Sequence, residues 1–174
     1  MNSESIPEYK IILASNSSIR QKILEDSGIS FEVVPSEVEE EELKQSLSGN
    51  NFREYCLTLA KAKALDVSNK KKNAYVIGSD QICCYGEEIF SKPLTKENCF
   101  KTLSKLSGNT HYQNCGISIC KNGKEIWSHY AQAALTMKSL SDTEIRDYID
   151  KDEPFMACGC LLYTSDAADE VRSV

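Results

Sequence analysis

The sequence lacks most of the features that would place it in a specialised class. Only four of its 174 residues are proline, and no apolar run approaches the ~20 residues of a membrane span. The opening residues, Met1-Asn2-Ser3-Glu4-Ser5-Ile6-Pro7-Glu8, have neither a cationic start nor an apolar core. No secretory signal and no membrane partner are therefore expected, and the expected location is cytoplasmic. Cationic residues are in the minority, with 20 Lys and Arg against 26 Asp and Glu, a net charge of −6. That balance argues against nucleic acid as a partner, which needs a broad basic face, and leaves room for a small basic pocket. Neither G-x-x-x-x-G-K-[ST] nor G-x-G-x-x-G occurs, which excludes a P-loop and a dinucleotide fingerprint. There are only two histidines, and none of the eight cysteines forms a C-x-x-C pair. A zinc site is not expected, and the thiols should be reduced and mostly buried.

What remains reads as a mixed α/β fold in a single domain. Lys10–Ser15 is a short apolar run suited to a buried strand, and Ser17 opens a helix that stops at Gly28. Phe31–Val34 predicts a second strand, followed by an acidic loop over Glu37–Glu42. Phe52–Val67 predicts an amphipathic helix with Tyr55, Leu59, Ala62 and Leu65 near one face. The Lys70-Lys71-Lys72 run predicts a solvated turn. Ala74–Ile77 predicts a buried strand ending in Gly78-Ser79-Asp80-Gln81, and a hairpin is expected around Gly86-Glu87. Thr95 caps a helix to Leu106, with Gly108 just beyond it. Asn122-Gly123 marks a hairpin between strands over 112–120 and 126–137. Ser141-Asp142-Thr143-Glu144 is a capping box for a last helix.

Open α/β sheets bind ligands where strands end, so charged residues at those points are the candidates. Ser15 and Ser17 sit at a helix start, where free N–H groups and the helix dipole favour an anion, and Arg20 one turn on can reach the same anion. The alternatives are a plain cap and a surface charge. The Glu37–Glu40 loop offers carboxylate oxygens that suit a hard divalent cation, although acidic clusters also occur simply as solvated loops. Lys63 projects from the following helix, and taken singly is an ordinary solvated charge. Asp80 directly follows a buried strand, beside a glycine that permits close backbone approach. It can bind metal or activate water, or serve as a turn residue. Lys92 stands in a stiff Ser91-Lys92-Pro93 turn that suits a phosphate oxygen.

Taken in order, these segments resemble the Maf family of nucleoside triphosphate pyrophosphatases. The family marks L-A-S-x-S-P-x-R, V-x-E, E-K-A, G-[AS]-D, [GS]-K-P and L-S-G-x-x-H correspond to residues 13–20, Val38-Glu39-Glu40, Ala62-Lys63-Ala64, Gly78-Ser79-Asp80, Ser91-Lys92-Pro93 and residues 106–111. The resemblance implies a Maf/Ham1-like mixed twisted sheet flanked by helices, with antiparallel hairpins in the second half, and a homodimer. It implies an enzyme that converts a nucleoside triphosphate to the monophosphate and diphosphate. Asp80 would be catalytic and would hold Mg²⁺ or Mn²⁺ with Glu40. Ser15, Ser17, Arg20, Lys63, Gln81 and Lys92 would bind substrate. Gly-Ser-Asp-Gln followed by Lys-Pro-Leu-Thr is similar to the branch acting on 7-methyl-GTP rather than on dTTP and UTP. The family's link to septum formation keeps a non-catalytic nucleotide-binding role as an alternative.

The chain departs from the family pattern in places. The motif proline is Ser18, the usual adjacent arginine is Ile19 or Gln21, and a frequent threonine is Cys115. The run Cys160-Leu-Leu-Tyr-Thr-Ser-Asp-Ala-Ala-Asp-Glu170 back-translates to a string that resembles a sequencing-library adapter. A native domain over 1–159 is therefore expected, with 160–174 a read-through scar and the natural chain continuing beyond Gly159. On that reading the truncated chain would be inactive.

Overall fold

The computed structural model describes residues 9–47, 51–155, 157 and 159. The residues read as a read-through scar lie outside this range, as do Met156 and Cys158 of the segment before them. The elements alternate as β1 (Ile11–Leu13), α1 (Ser18–Asp26), β2 (Glu32–Val33), α2 (Glu40–Ser46), α3 (Phe52–Lys70), β3 (Tyr75–Tyr85), β4 (Glu88–Phe90), α4 (Lys96–Leu106), β5 (Thr110–Lys121), β6 (Lys124–Thr136) and α5 (Asp142–Asp152). Strand order is β2-β1-β3-β5-β6, with β4 on β3. β1 pairs in parallel with β2 and with β3, whereas β4 runs antiparallel to β3, with Cys83 opposite Phe90. The expected mixed α/β sheet is present. Among the described residues, no helix is long and apolar enough to cross a membrane.

The chain forms two compact units. The first takes the chain up to Gln81 together with Asn114–Ala131, and the second takes Ile82–Gln113 with the chain from Gln132. In the first, Ile12 and Val76 of the sheet pack on Ala64 and Val67 of α3, joined by Ala14, Ala74 and Cys120. In the second, Cys99 and Leu103 of α4 pack on Ile145 and Ile149 of α5. Cys83, Phe90 and Leu106 form a smaller apolar cluster in the same unit. The six described cysteines form no disulfide with one another, and all but Cys115 are buried.

Local chemistry explains where most helices begin. Ser17, Asn51, Thr95 and Ser141 each accept a hydrogen bond from the backbone N–H three residues on, satisfying a donor that the first helical turn leaves open. At α5 the box is reciprocal, because Glu144 Oε2 also accepts from the Ser141 N–H at 2.8 Å. Ser141→Ala should therefore cost about 1 kcal/mol. Because α5 is one of the two helices packed in the second unit, the loss should be visible as a fall in thermal midpoint of roughly 2–4 °C. A melting curve matching the wild type would mean that α5 does not limit stability.

Three expectations change. The acidic stretch is not all loop, since α2 starts at Glu40 with Glu40, Glu41 and Glu42 in its first turn. Carboxylates there are favoured by the helix dipole, and Lys44 pairs back to Glu41 and Glu40. β3 does not end before Gly78 but runs on through Tyr85, 11 residues in all, so Asp80 lies within a strand. The buried face of α3 is Cys56, Leu59, Ala60, Lys63, Ala64, Val67 and Ser68, offset from the predicted stripe. The sheet beneath that helix carries glycine at two points, and it therefore accepts the helix's small residues and main chain rather than its larger side chains. A β-carbon at Gly116 would lie 2.5 Å from the Cys56 carbonyl carbon, and one at Gly78 would lie 2.7 Å from the Ala64 nitrogen.

Candidate active site

The close approach at Gly78 puts α3 almost on the surface of β3. Lys63, on the buried face of the helix, then meets Asp80, which lies two residues beyond Gly78 and so on the same face of the strand. Lys63 Nζ is 2.8 Å from Asp80 Oδ1 and 2.9 Å from Glu40 Oε1. Both Lys63 and Asp80 are 7% exposed, whereas the Glu40 side chain is 38% exposed. One ammonium thus ties together carboxylates from the start of α2 and the middle of β3.

The two acids respond differently to this setting. Burial dominates at Asp80 and pushes its carboxyl above the ordinary value, more than the neighbouring Lys63 and Arg20 charges pull it down. At Glu40 burial also opposes charge, but the Lys63 hydrogen bond and the Lys63, Lys44 and Arg20 charges together hold the carboxyl below its ordinary value. The same cluster therefore favours the charged form of Glu40 and disfavours that of Asp80.

Arg20 belongs to this group because its charge acts on both acids. Its own placement is local. Ser15 Oγ accepts from Arg20 Nη1 at 3.1 Å and from the Ser17 N–H at 3.2 Å, while Ser17 Oγ caps the helix at the Arg20 N–H. Ser15, Ser17 and Arg20 thus form one hydrogen-bonded corner after β1.

Gln81 and Lys92 are both exposed. Gln81 follows Asp80 on a continuous strand, so its side chain takes the opposite face of β3, where it is exposed. Lys92 is exposed in the second unit, between β4 and α4. Its turn is fixed by Asn98 Nδ2 donating to the Pro93 carbonyl at 3.2 Å and by the Leu94 N–H donating to the Phe155 carbonyl at 3.2 Å.

The Maf-like protein family matches residues 10–173. The chain belongs to the Maf family. A Legionella pneumophila (strain Corby) protein named nucleoside triphosphate pyrophosphatase is 38% identical over 161 residues, covering 92% of this chain and 80% of its own length. A Brucella abortus biovar 1 (strain 9-941) protein named 7-methyl-GTP pyrophosphatase is 38% identical over 142 residues, covering 80% of this chain and 71% of its own. A solved HAM1 protein from Coxiella burnetii is 18% identical with a TM-score of 0.43, covering 73% of this chain and 71% of that one.

In this Maf chain, no cluster of three or more His, Cys, Asp or Glu suited to a metal occurs among the described residues. Glu40 and Asp80 form a two-carboxylate set, with one oxygen of each taken by Lys63. That set fits Mg²⁺, which commonly takes one or two protein carboxylates and completes its octahedron with phosphate oxygens and water. It does not fit a cation that needs an all-protein cage.

The sequence pattern passed over Lys44 and Tyr55. Lys44 Nζ lies 3.7 Å from Glu40 Oε2, the oxygen that Lys63 leaves open. The half-buried Tyr55 phenol feels the charges of both Lys44 and Asp80. The signal was the i,i+4 spacing of Glu40 and Lys44, which has meaning only once Glu40 starts a helix.

Proposed function

We propose that this Maf-family chain hydrolyses a nucleoside triphosphate to the monophosphate and pyrophosphate, with 7-methyl-GTP as the preferred substrate. The observation that carries the reading is the Lys63 ammonium held within 3 Å of both Glu40 and Asp80. The names of the Legionella and Brucella relatives support the reaction, and Arg20 beside Ser15 supplies a forked cation for phosphate.

Phosphoryl chemistry of this kind depends on positioning and electrostatics. Arg20 and Lys63 bind phosphate oxygens, and Ser15 and Ser17 fix Arg20 and the start of α1 for that contact. Glu40 and Asp80 would hold Mg²⁺ or Mn²⁺, which when bound offsets charge on the phosphates and the leaving group. Asp80 orients a water and takes its proton as the water oxygen bonds the α-phosphorus. The bond from that phosphorus to the bridging oxygen breaks, and pyrophosphate leaves with the electron pair. A carboxyl raised by burial suits this role, because its conjugate base is a better proton acceptor than an ordinary carboxylate. Lys92 is assigned a phosphate oxygen and Gln81 a contact with the base or its neighbouring loop.

The choice of 7-methyl-GTP rests on Gln81 and the Lys92-Pro93-Leu94-Thr95 run. The name of the Brucella relative, 7-methyl-GTP pyrophosphatase, supports it. Pyrophosphate release should be measured with Mg²⁺ or Mn²⁺ on 7-methyl-GTP, GTP, CTP, UTP, dTTP and ITP. The expected kcat/KM for 7-methyl-GTP exceeds the others by about tenfold or more, a difference of ~1.4 kcal/mol. Preference for UTP and dTTP would overturn the substrate and keep the chemistry. Absence of turnover on all six would overturn catalysis in favour of nucleotide binding alone.

A further inference from the structure

Lys44 belongs to none of the motifs that point to the site, yet α2 delivers it there. It lies one turn after Glu40 on the same helix, and its side chain is 32% exposed. Its firm partner is Glu41 at 2.8 Å, but the Glu41 side chain is 80% exposed. A solvated pair of that kind contributes little and exchanges readily. Its other partner, Glu40 Oε2, is at a loose 3.7 Å.

Tyr55 ties Lys44 to the reacting end of the cluster. It precedes Lys63 by two turns on α3, and its phenol is raised first by burial and then influenced in opposite directions by Lys44 and Asp80. In distance terms, Lys44 is joined to the Asp80 carboxylate through Glu40 and Lys63, at 3.7, 2.9 and 2.8 Å in turn.

Charge balance gives Lys44 a task. Lys63 is shared between two carboxylates and the phosphates, so a ligand that stays anionic even with a divalent cation bound calls for a further cation beside Arg20. An ammonium is a compact point charge suited to phosphate oxygens rather than to a base edge. We propose that Lys44 is a further substrate-binding residue, whose ammonium leaves Glu41 and binds the pyrophosphate portion of the triphosphate beside Glu40 and Asp80. This rests on the triphosphate reading above.

The test titrates inorganic pyrophosphate with Mg²⁺ into the full chain calorimetrically and measures turnover in parallel, for wild type, Lys44→Met and Lys44→Arg. Melting curves verify that both variants fold. Lys44→Met should bind pyrophosphate about tenfold more weakly, equivalent to ~1.4 kcal/mol, and raise KM by a similar factor. The kcat should stay close to wild type, and Lys44→Arg should keep most of the affinity because it retains the charge. Pyrophosphate affinity unchanged in Lys44→Met, in an enzyme that turns over normally, overturns the inference and leaves the reaction standing. A fall in kcat with unchanged pyrophosphate affinity overturns it too, since Lys44 would then act only on Glu40. A wild type that releases pyrophosphate from no triphosphate removes the reading underneath and this inference with it.

Discussion

Asp80→Asn should lower turnover by about a thousandfold, some 4 kcal/mol of transition-state stabilisation, and leave the protein folded. The amide keeps the shape of the side chain but can neither accept the proton of water nor bring negative charge to the Glu40 pair. Lys63 retains Glu40 at 2.9 Å, so the helix keeps one of its two ionic anchors. The pH profile of the wild type tests the same point. Glu40 is held low, so the acid limb of activity should report Asp80 and fall above the ordinary aspartate value. Stability carries the opposite sign. A carboxyl whose folded pKa is raised contributes stability in full below its unfolded pKa, and loses that contribution as pH rises through the folded value. At neutral pH the Asp80 carboxylate is therefore a burden on the fold, and Asp80→Asn should melt no lower than wild type. Near-normal turnover in this variant would remove the proposed reaction. A large drop in melting temperature would mean that Lys63 needs Asp80 to sit where it does.

Much of the fold was legible because it is written locally. The Ser17 cap, the Ser141–Glu144 box and the Asn122-Gly123 turn each involve residues within three positions of one another, and the structure places each as expected, with Asn122 and Gly123 both at positive φ. The order of Arg20, Glu40, Lys63 and Asp80 was legible as spacing, but their meeting was not. It depends on the approach of α3 to β3, which side-chain periodicity does not report. The same blindness displaced the predicted face of α3, where Cys56, Ala60 and Ala64 turn toward the sheet because Gly78 and Gly116 leave room for them. Glu40 was read as loop because the four successive glutamates Glu39–Glu42 carry no apolar period, although the last three suit a first helical turn. Gln81 was grouped with Asp80 by adjacency, and in a continuous strand adjacency puts two side chains on opposite faces.

That dependence on main-chain contact makes Gly78 the position where a single methyl group should do the most structural damage. A β-carbon there would collide with the Ala60 carbonyl oxygen and lie 2.7 Å from the Ala64 nitrogen and 2.9 Å from the Ala64 β-carbon. Two of those three atoms are helix backbone, which no rotamer change can move aside, so α3 must lift from β3 as a body. Overpacking of this kind costs ~1–3 kcal/mol, and the backbone contacts put Gly78→Ala at the upper end. The thermal midpoint should fall by roughly 5–10 °C. Turnover should suffer separately, because Lys63 precedes Ala64 directly and rides on the part of the helix that moves. Its 2.8 Å pair with Asp80 cannot survive a shift of that size, and a misplacement of ~1 Å can cost about a hundredfold in rate. Adding Ala64→Gly removes the 2.9 Å side-chain contact and none of the backbone ones, so the double variant should remain as impaired as Gly78→Ala. Recovery in that double variant would show that the Ala64 methyl, and not the helix main chain, sets the distance between Lys63 and Asp80. Wild-type melting and turnover in Gly78→Ala itself would show that α3 does not press on β3 at all.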